Sequence, residues 1–220
     1  MRADPIDVIL PCLDEAAALP CVLRALPPGF RAIVVDNGST DGSPEVAAEL
    51  GATVLTEPHR GYGAAVHTGL EAAATDVVCF LDADGSLDPA QLPRLAEPVR
   101  AGEAELAAGR RRPTARGVWP WHARAGNVLL SALLRGRGLG VHDIAPMRAV
   151  RRDALLELGV ADRGFGYPLE LLVRAADAGW RVREFEVAYG PRADGTVSKV
   201  SGSLRGTARA ARDMARVWRA

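Results

Sequence analysis

The sequence predicts an α/β domain built on a mostly parallel sheet, and three observations carry that expectation. Short apolar runs alternate with helix-length segments through the first half of the chain. One run, Val77 to Leu81, is continuously apolar, as a strand covered on both faces must be. Acidic turns follow the apolar runs, where the carboxyl ends of parallel strands place a site.

The elements follow in order. Ile6 to Leu10 reads as a strand stopped by Pro11, and Ala16 to Leu26 as a helix. Ala32 to Val35 is a second strand, Pro44 to Leu50 a helix, and Thr53 to Leu55 a short strand. Ala64 to Ala74 is a helix with a glycine-rich entry, and Val77 to Leu81 the buried strand. Pro89 to Arg100 is a helix and Glu105 to Ala108 a short strand. Strand–helix–strand repetition at this spacing implies parallel pairing with right-handed crossovers. The second half is less regular. Arg110 to Trp121 reads as a loop, His122 to Leu134 as a helix and Met147 to Val150 as an edge strand. Leu169 to Ala178 is a helix, Val182 to Val187 an alternating strand, Ala188 to Gly202 a polar loop and Ser203 to Arg219 a final helix.

Length and composition narrow the class. The 220 residues are 48% hydrophobic, which excludes disorder and is enough for one large domain. One domain is therefore expected over 1–220, in three parts: about 1–110, about 111–202 and a basic helix at about 203–219. No apolar run is long enough to span a bilayer, and the N-terminus lacks a signal-peptide stretch, so a cytoplasmic location is expected. Cys12, Cys21 and Cys79 have no paired spacing and read as buried, inert thiols. The four histidines lack metal-ligand spacing; His142, beside Asp143, is the one placed nearest the site. The formal charge is zero, but residues 1–110 carry a net −10 and residues 111–220 a net +10. That split points to a metal-binding half and an anion-binding half, and argues against nucleic acid as a partner. Lys199 is the single lysine among 27 basic residues.

Three acidic clusters fall where the sheet rule points: Asp14-Glu15, Asp36-Asn37-Gly38 with Asp41, and Asp82-Ala83-Asp84. Two carboxylates at the mouth of an apolar strand are costly unless a cation compensates them. Oxygen ligands of this kind suit Mg²⁺ or Mn²⁺, with phosphates filling the remaining positions. Each cluster alone also suits a turn or a helix cap. Gly61 and Gly63 open a helix where backbone N–H groups can meet a phosphate, although the same pattern serves an ordinary helix entry.

In this order, Pro11-x-x-Asp14-Glu15, Val34-Val35-Asp36-Asn37-Gly38, Arg60-Gly61-Tyr62-Gly63 and Phe80-Leu81-Asp82-Ala83-Asp84-Gly85 resemble glycosyltransferase family 2. These are GT-A-type, Rossmann-like nucleotide-sugar transferases. Further segments match: Gly109-Arg110, His142 to Ala149, Gly166 to Glu170 and Ser198 to Gly202. Within the family, the chain resembles dolichyl- and polyprenyl-phosphate mannosyl- or glucosyltransferases.

The resemblance implies a donor-binding set of Pro11, Asp14, Glu15, Asp36, Asn37, Gly38, Gly61, Gly63, Asp82, Ala83 and Asp84. Asp82 and Asp84 would hold the metal. Asp84, Glu170 and Arg148 are expected to be catalytic, with Glu170 a general base if the acceptor is a hydroxyl. Arg110, Arg124, Asp143, Lys199 and Arg205 are expected at the acceptor. The family is inverting, so one direct displacement is expected on a GDP-mannose or UDP-glucose donor, with a polyprenyl phosphate as the acceptor. Two departures stand out. Ser86 replaces a glutamine usual in the mannose synthases, and no C-terminal membrane helix is present in this sequence. A soluble acceptor, a nucleotidyltransferase and a non-catalytic nucleotide-sugar-binding relative are the alternatives. A nucleotidyltransferase would need a basic glycine-rich loop where Pro11 to Glu15 stands.

In the last helix Leu204, Ala208, Ala211, Ala215 and Trp218 form an apolar stripe beside Arg205, Arg209, Arg212, Arg216 and Arg219. Such a helix can lie on an anionic bilayer, giving peripheral association with the inner face of the plasma membrane, or pack on the sheet. Trp119 and Trp121 can flank the acceptor mouth or pack on the core. Composition leaves the oligomeric state open.

Overall fold

The structure, a computed structural model, describes residues 4–193 and 204–219. Seven strands form one sheet: β1 (Ile6–Cys12), β2 (Phe30–Asp36), β3 (Thr53–Thr56), β4 (Val77–Phe80), β5 (Leu106–Pro113), β6 (Arg148–Arg151) and β7 (Val182–Tyr189). Their order is β3-β2-β1-β4-β6-β5-β7. Pairing is parallel except where β6 lies antiparallel between β4 and β5.

Side chains alternate across the sheet with the period of two that a strand imposes. Val8, Leu10, Val34, Cys79 and Leu81 enter one core cluster, roofed by α1 (Leu19–Arg24), α2 (Ser43–Glu49) and α4 (Leu92–Arg100). Ile9, Ile33, Val35, Val78 and Phe80 enter the other. That second face is covered by α3 (Tyr62–Ala72), α5 (Trp121–Gly136), α6 (Arg152–Glu157), α7 (Tyr167–Asp177) and the last turns of α8 (Leu204–Arg219). Burying each large apolar side chain contributes about 1.5–3 kcal/mol, so two such clusters make the sheet the rigid part of the molecule.

The structure corrects several sequence expectations. The segment expected as an edge strand, Met147 to Val150, lies inside the sheet, where Phe80 and Ala108 flank Arg148. Its alternation was masked because the strand is short and begins with arginine. The edges are β3 and β7. β5 runs on to Pro113 through what read as a loop, because eight residues of β7 pair with it in parallel. The expected helix at Pro89 begins as a 3-10 turn, capped by the Asp88 carboxylate on the Ala90 N–H, before α4. α6 had no periodic signal in its six residues. Cys12 and Cys79 are buried as expected, but Cys21 is exposed on α1.

The last helix is also rephased. Ala210, Asp213 and Val217 are the buried positions, with Met214 and Trp218 packed on the second core cluster. Ala208, Ala211 and Ala215 of the expected stripe are exposed. Buried valine and a half-buried tryptophan outweigh three alanines in apolar area.

Candidate active site

β1, β2 and β4 end side by side, and their carboxyl ends open on a cavity of about 1500 Å³. Of the residues expected at the site, Pro11, Glu15, Asn37, Gly61, Asp82, Ala83, Asp84 and Glu170 line it.

Asp82 and Asp84 follow β4 directly. Burial, and then the neighbouring Asp84, push the Asp82 carboxyl up to about 7, against the pull of Arg192, Arg111 and Arg148. Asp84 accepts the Ser86 N–H at 2.8 Å on one oxygen and the Arg192 guanidinium at 2.5 Å on the other. Ser86 is itself buried, and its hydroxyl has no hydrogen-bond partner among the described residues. This all-oxygen, negatively charged set fits a hard divalent cation. No cluster of three or more His, Cys, Asp or Glu side chains with metal geometry occurs among the described residues. A cation here would therefore complete its shell from phosphates and water.

The loops after β1 and β2 are locked to each other. Asp14, at φ 53°, accepts the Thr40 N–H at 2.8 Å, and its own N–H donates to Ser39 Oγ. Asp36 accepts the Gly38 and Ser39 N–H groups at 3.1 and 3.0 Å. Gly38, at φ +90°, takes a conformation costly for other residues, and an added Cβ would meet the Arg60 guanidinium at 2.9 Å. Asp14, Asp36 and Gly38 do not line the cavity, and their bonds described here tie the two loops together. Asn37 does line it. Its amide donates to the carbonyls of Glu57 and His59 and accepts the Gly61 N–H, all at 2.8–2.9 Å.

The glycines of the α3 entry serve a different purpose from the one expected. The N–H of Gly61 goes to Asn37, and those of Gly63 and Ala64 go to the carbonyls of Gly164 and Arg163. A Cβ on Gly61 would lie 2.1 Å from the Arg163 carbonyl oxygen, and one on Gly63 2.7 Å from that of Asp162. These glycines admit the 162–164 turn against the helix, leaving those amides no phosphate to meet.

That turn delivers Glu170. Its carboxylate accepts the Ala161 and Asp162 N–H groups at 3.1 and 2.6 Å and the Arg174 Nε at 2.6 Å. Burial raises its pKa, but these amides and Arg174 outweigh that and hold it below the ordinary value. A general base needs a free oxygen and a pKa near the working pH. Both Glu170 oxygens already accept hydrogen bonds and its pKa is held low, so in this structure it serves as the acceptor that fixes the 161–162 turn.

Arg148 is 2% exposed in β6, behind the cavity, and donates to the Ile144 carbonyl. Burial lowers its pKa, while Tyr62, Asp143 and Asp82 favour its charge. It stands outside the cavity lining as a buried cation. Asp143 is 1% exposed and bound bidentately by Arg111 at 2.7 and 2.9 Å, with Arg111 stacked 4.0 Å over Trp119. It too lies outside the cavity lining, as do half-buried Arg110 and exposed Arg124. Lys199 lies outside the described residues, as does the side chain of Arg205.

Eight arginines line the cavity, among them Arg60 of the α3 entry, and none of the eight was assigned to the acceptor from sequence. Arg192 faces Asp84. Arg137, Arg163, Arg174, Arg209, Arg212 and Arg216 line the cavity further along. Three of these come from the α8 stripe that read as membrane-facing. Nothing local distinguishes them in a chain this rich in arginine; the net +10 of the second half was the available signal.

The model of the family described as Glycosyl transferase family 2 matches residues 7–159. An uncharacterized glycosyltransferase of Mycobacterium tuberculosis is 59% identical over 208 residues, covering 94% of each chain. Polyprenol monophosphomannose synthase of Mycolicibacterium smegmatis is 35% identical over 222 residues, covering 89% of this chain and 81% of the relative. Among solved structures, glucosyl-3-phosphoglycerate synthase of Mycobacterium tuberculosis, crystallised with Mn²⁺, uridine diphosphate and phosphoglyceric acid, superposes with a TM-score of 0.76. It is 26% identical, over 98% of this chain and 78% of that one.

Proposed function

The chain belongs to glycosyl transferase family 2, and from that premise we propose that it moves a hexose from a nucleoside diphosphate sugar to a polyprenyl phosphate. It is a glycosyltransferase of GT-A fold. One observation carries the acceptor class. A single cavity joins the Asp82–Asp84 pair to eight arginines, while the carboxylate best placed as a base, Glu170, is already engaged. A hydroxyl acceptor must lose a proton during attack; a phosphate is already an anion and needs cations to hold it. The lipid form of that phosphate is supported by the similarity to a polyprenol monophosphomannose synthase. The structural neighbour binds phosphoglyceric acid, a soluble molecule with the same anionic chemistry.

Asp82 and Asp84 are the residues that would hold Mg²⁺ or Mn²⁺, which when bound offsets the charge gathering on the departing diphosphate. The rest of the work falls to the chain. Asn37 and the locked β1 and β2 loops fix the floor on which the nucleoside rests. Arg192, released from Asp84, is placed to pair with the diphosphate. The arginines from α7 and α8 orient the acceptor phosphate for in-line displacement at the anomeric carbon, with inversion.

The test is transfer with radiolabelled GDP-mannose and UDP-glucose, Mn²⁺, and either undecaprenyl phosphate in detergent or 3-phosphoglycerate. A labelled lipid that is alkali-resistant and acid-labile supports the reading. Transfer to phosphoglycerate alone, whose free hydroxyl can take the sugar, would overturn a phosphate acceptor, as would no transfer to either.

A further inference from the structure

Among the described residues, the large apolar side chains left exposed are Trp121 at 80%, Val128 at 56%, Leu129 at 62% and Leu133 at 37%. All four lie on α5. Their spacings of 7, 8 and 12 residues from Trp121 bring them to one face of a helix with 3.6 residues per turn. The opposite face, Asn127, Ser131 and Leu134, is buried. Arg124 and Arg135 flank the exposed face, and both are exposed. Residues 106–142 contain seven arginines and no Asp or Glu.

We propose that this face of α5 docks the protein on an anionic lipid bilayer. The apolar side chains enter the headgroup–acyl boundary, and the flanking arginines meet lipid phosphates. Charge decides the occupant. A twofold pairing of two copies through this face would oppose Arg124 and Arg135 to their own equivalents, with no carboxylate in the segment to balance them. A bilayer of anionic lipid supplies both the apolar depth and the negative charge. The helix runs on to Arg137, which lines the cavity, so docking brings the cavity to the lipid surface. The inference extends the lipid-acceptor reading but rests on exposure and charge alone. Its test uses no donor or acceptor, so failure of one leaves the other standing.

The test is co-sedimentation of the full chain with vesicles of phosphatidylcholine alone or mixed with phosphatidylglycerol. Binding is expected to the mixed vesicles, weakened by salt, with a blue shift of tryptophan fluorescence that Trp121→Phe removes. Arg124→Ala with Arg135→Ala is expected to lower partitioning about 30-fold, from about 1 kcal/mol per surface cation. Leu129→Glu is expected to abolish binding at an unchanged thermal midpoint. Three results would overturn the proposal: no binding to anionic vesicles; a concentration-dependent dimer that Leu129→Glu dissociates; or destabilisation by Leu129→Glu, which would mean that the chain itself covers the face.

Discussion

The guanidinium of Arg192 lies 2.5 Å from the carboxylate of Asp84, whose side chain is 3% exposed. The pair holds the end of β7 to the end of β4, and the Ala193 N–H adds a bond to the Asp84 carbonyl at 3.0 Å. A divalent cation on Asp84 would compete with this guanidinium for the same oxygens.

Arg192→Gln should therefore destabilise the protein in a metal-dependent way. Without metal, Asp84 is left buried and uncompensated, a loss of about 3 kcal/mol. With saturating Mn²⁺ the cation supplies the missing charge and the difference should narrow. Urea unfolding of both proteins in chelator and in Mn²⁺ measures it. Equal destabilisation in both conditions would show that Arg192 and the cation do not share Asp84.

Asp82→Asn should raise stability while removing metal binding. Burial first, and Asp84 second, push this carboxyl up to about 7. A carboxylate raised on folding stabilises only while protonated; that contribution fades as pH rises through about 7. At pH 8 the folded state carries the full cost, and the amide relieves it. The metal-free midpoint should rise by about 2–4 °C, which corresponds to about 1 kcal/mol for a chain of this size. The stabilisation that Mn²⁺ gives the parent, about 2.7 kcal/mol at a hundredfold excess over Kd, should vanish. Scanning calorimetry with and without Mn²⁺ checks both.

The half of the site that is local in sequence was legible, and the half that folding assembles was not. Asp82 and Asp84 are two residues apart at the end of an apolar strand, so their meeting needs no tertiary information. Arg192 and Asp84 are separated by more than a hundred residues and meet because the segment after β4 bridges the end of β7, Leu87 to Tyr189 and Ser86 to Gly190. Asp14 and Asp36 were read as ligands because a sequence shows residue types and not which way a carboxylate turns. The first four strands and their parallel pairing were legible from their spacing. The insertion of β6 between β4 and β5 was not, since four residues carry too little pattern to mark a buried strand.

Gly61→Ala should loosen the cavity wall. Its Cβ would fall 2.1 Å from a backbone oxygen, which cannot rotate away as a side chain can. Either α3 or the 162–164 turn must move, at about 1–3 kcal/mol. The Glu170 turn moves with it, so the KM for the donor should rise more than kcat falls. Gly126→Ala, on α5 with nothing within 4 Å of its Cβ, should instead gain about 1 kcal/mol. Urea midpoints of the two variants should shift in opposite directions.

Glu170→Gln separates structure from chemistry at the one carboxylate that could have served as a base. Its pKa is held below the ordinary 4.5, because the Asp162 and Ala161 amides and Arg174 outweigh burial. The sign follows from that depression: the stabilisation is present in full above pH 4.5 and is lost as pH falls through the lower folded value. The glutamine variant should lose about 1–2 kcal/mol at neutral pH, since it can accept only part of the three bonds. The two proteins should converge as pH falls through that lower folded value. Transfer to a phosphate acceptor at neutral pH should fall no more than a few-fold, with no change in the shape of its pH profile. A loss of kcat of the order of 10²–10⁴, the range for removing a general base, would mean that Glu170 takes a proton and that the acceptor is a hydroxyl.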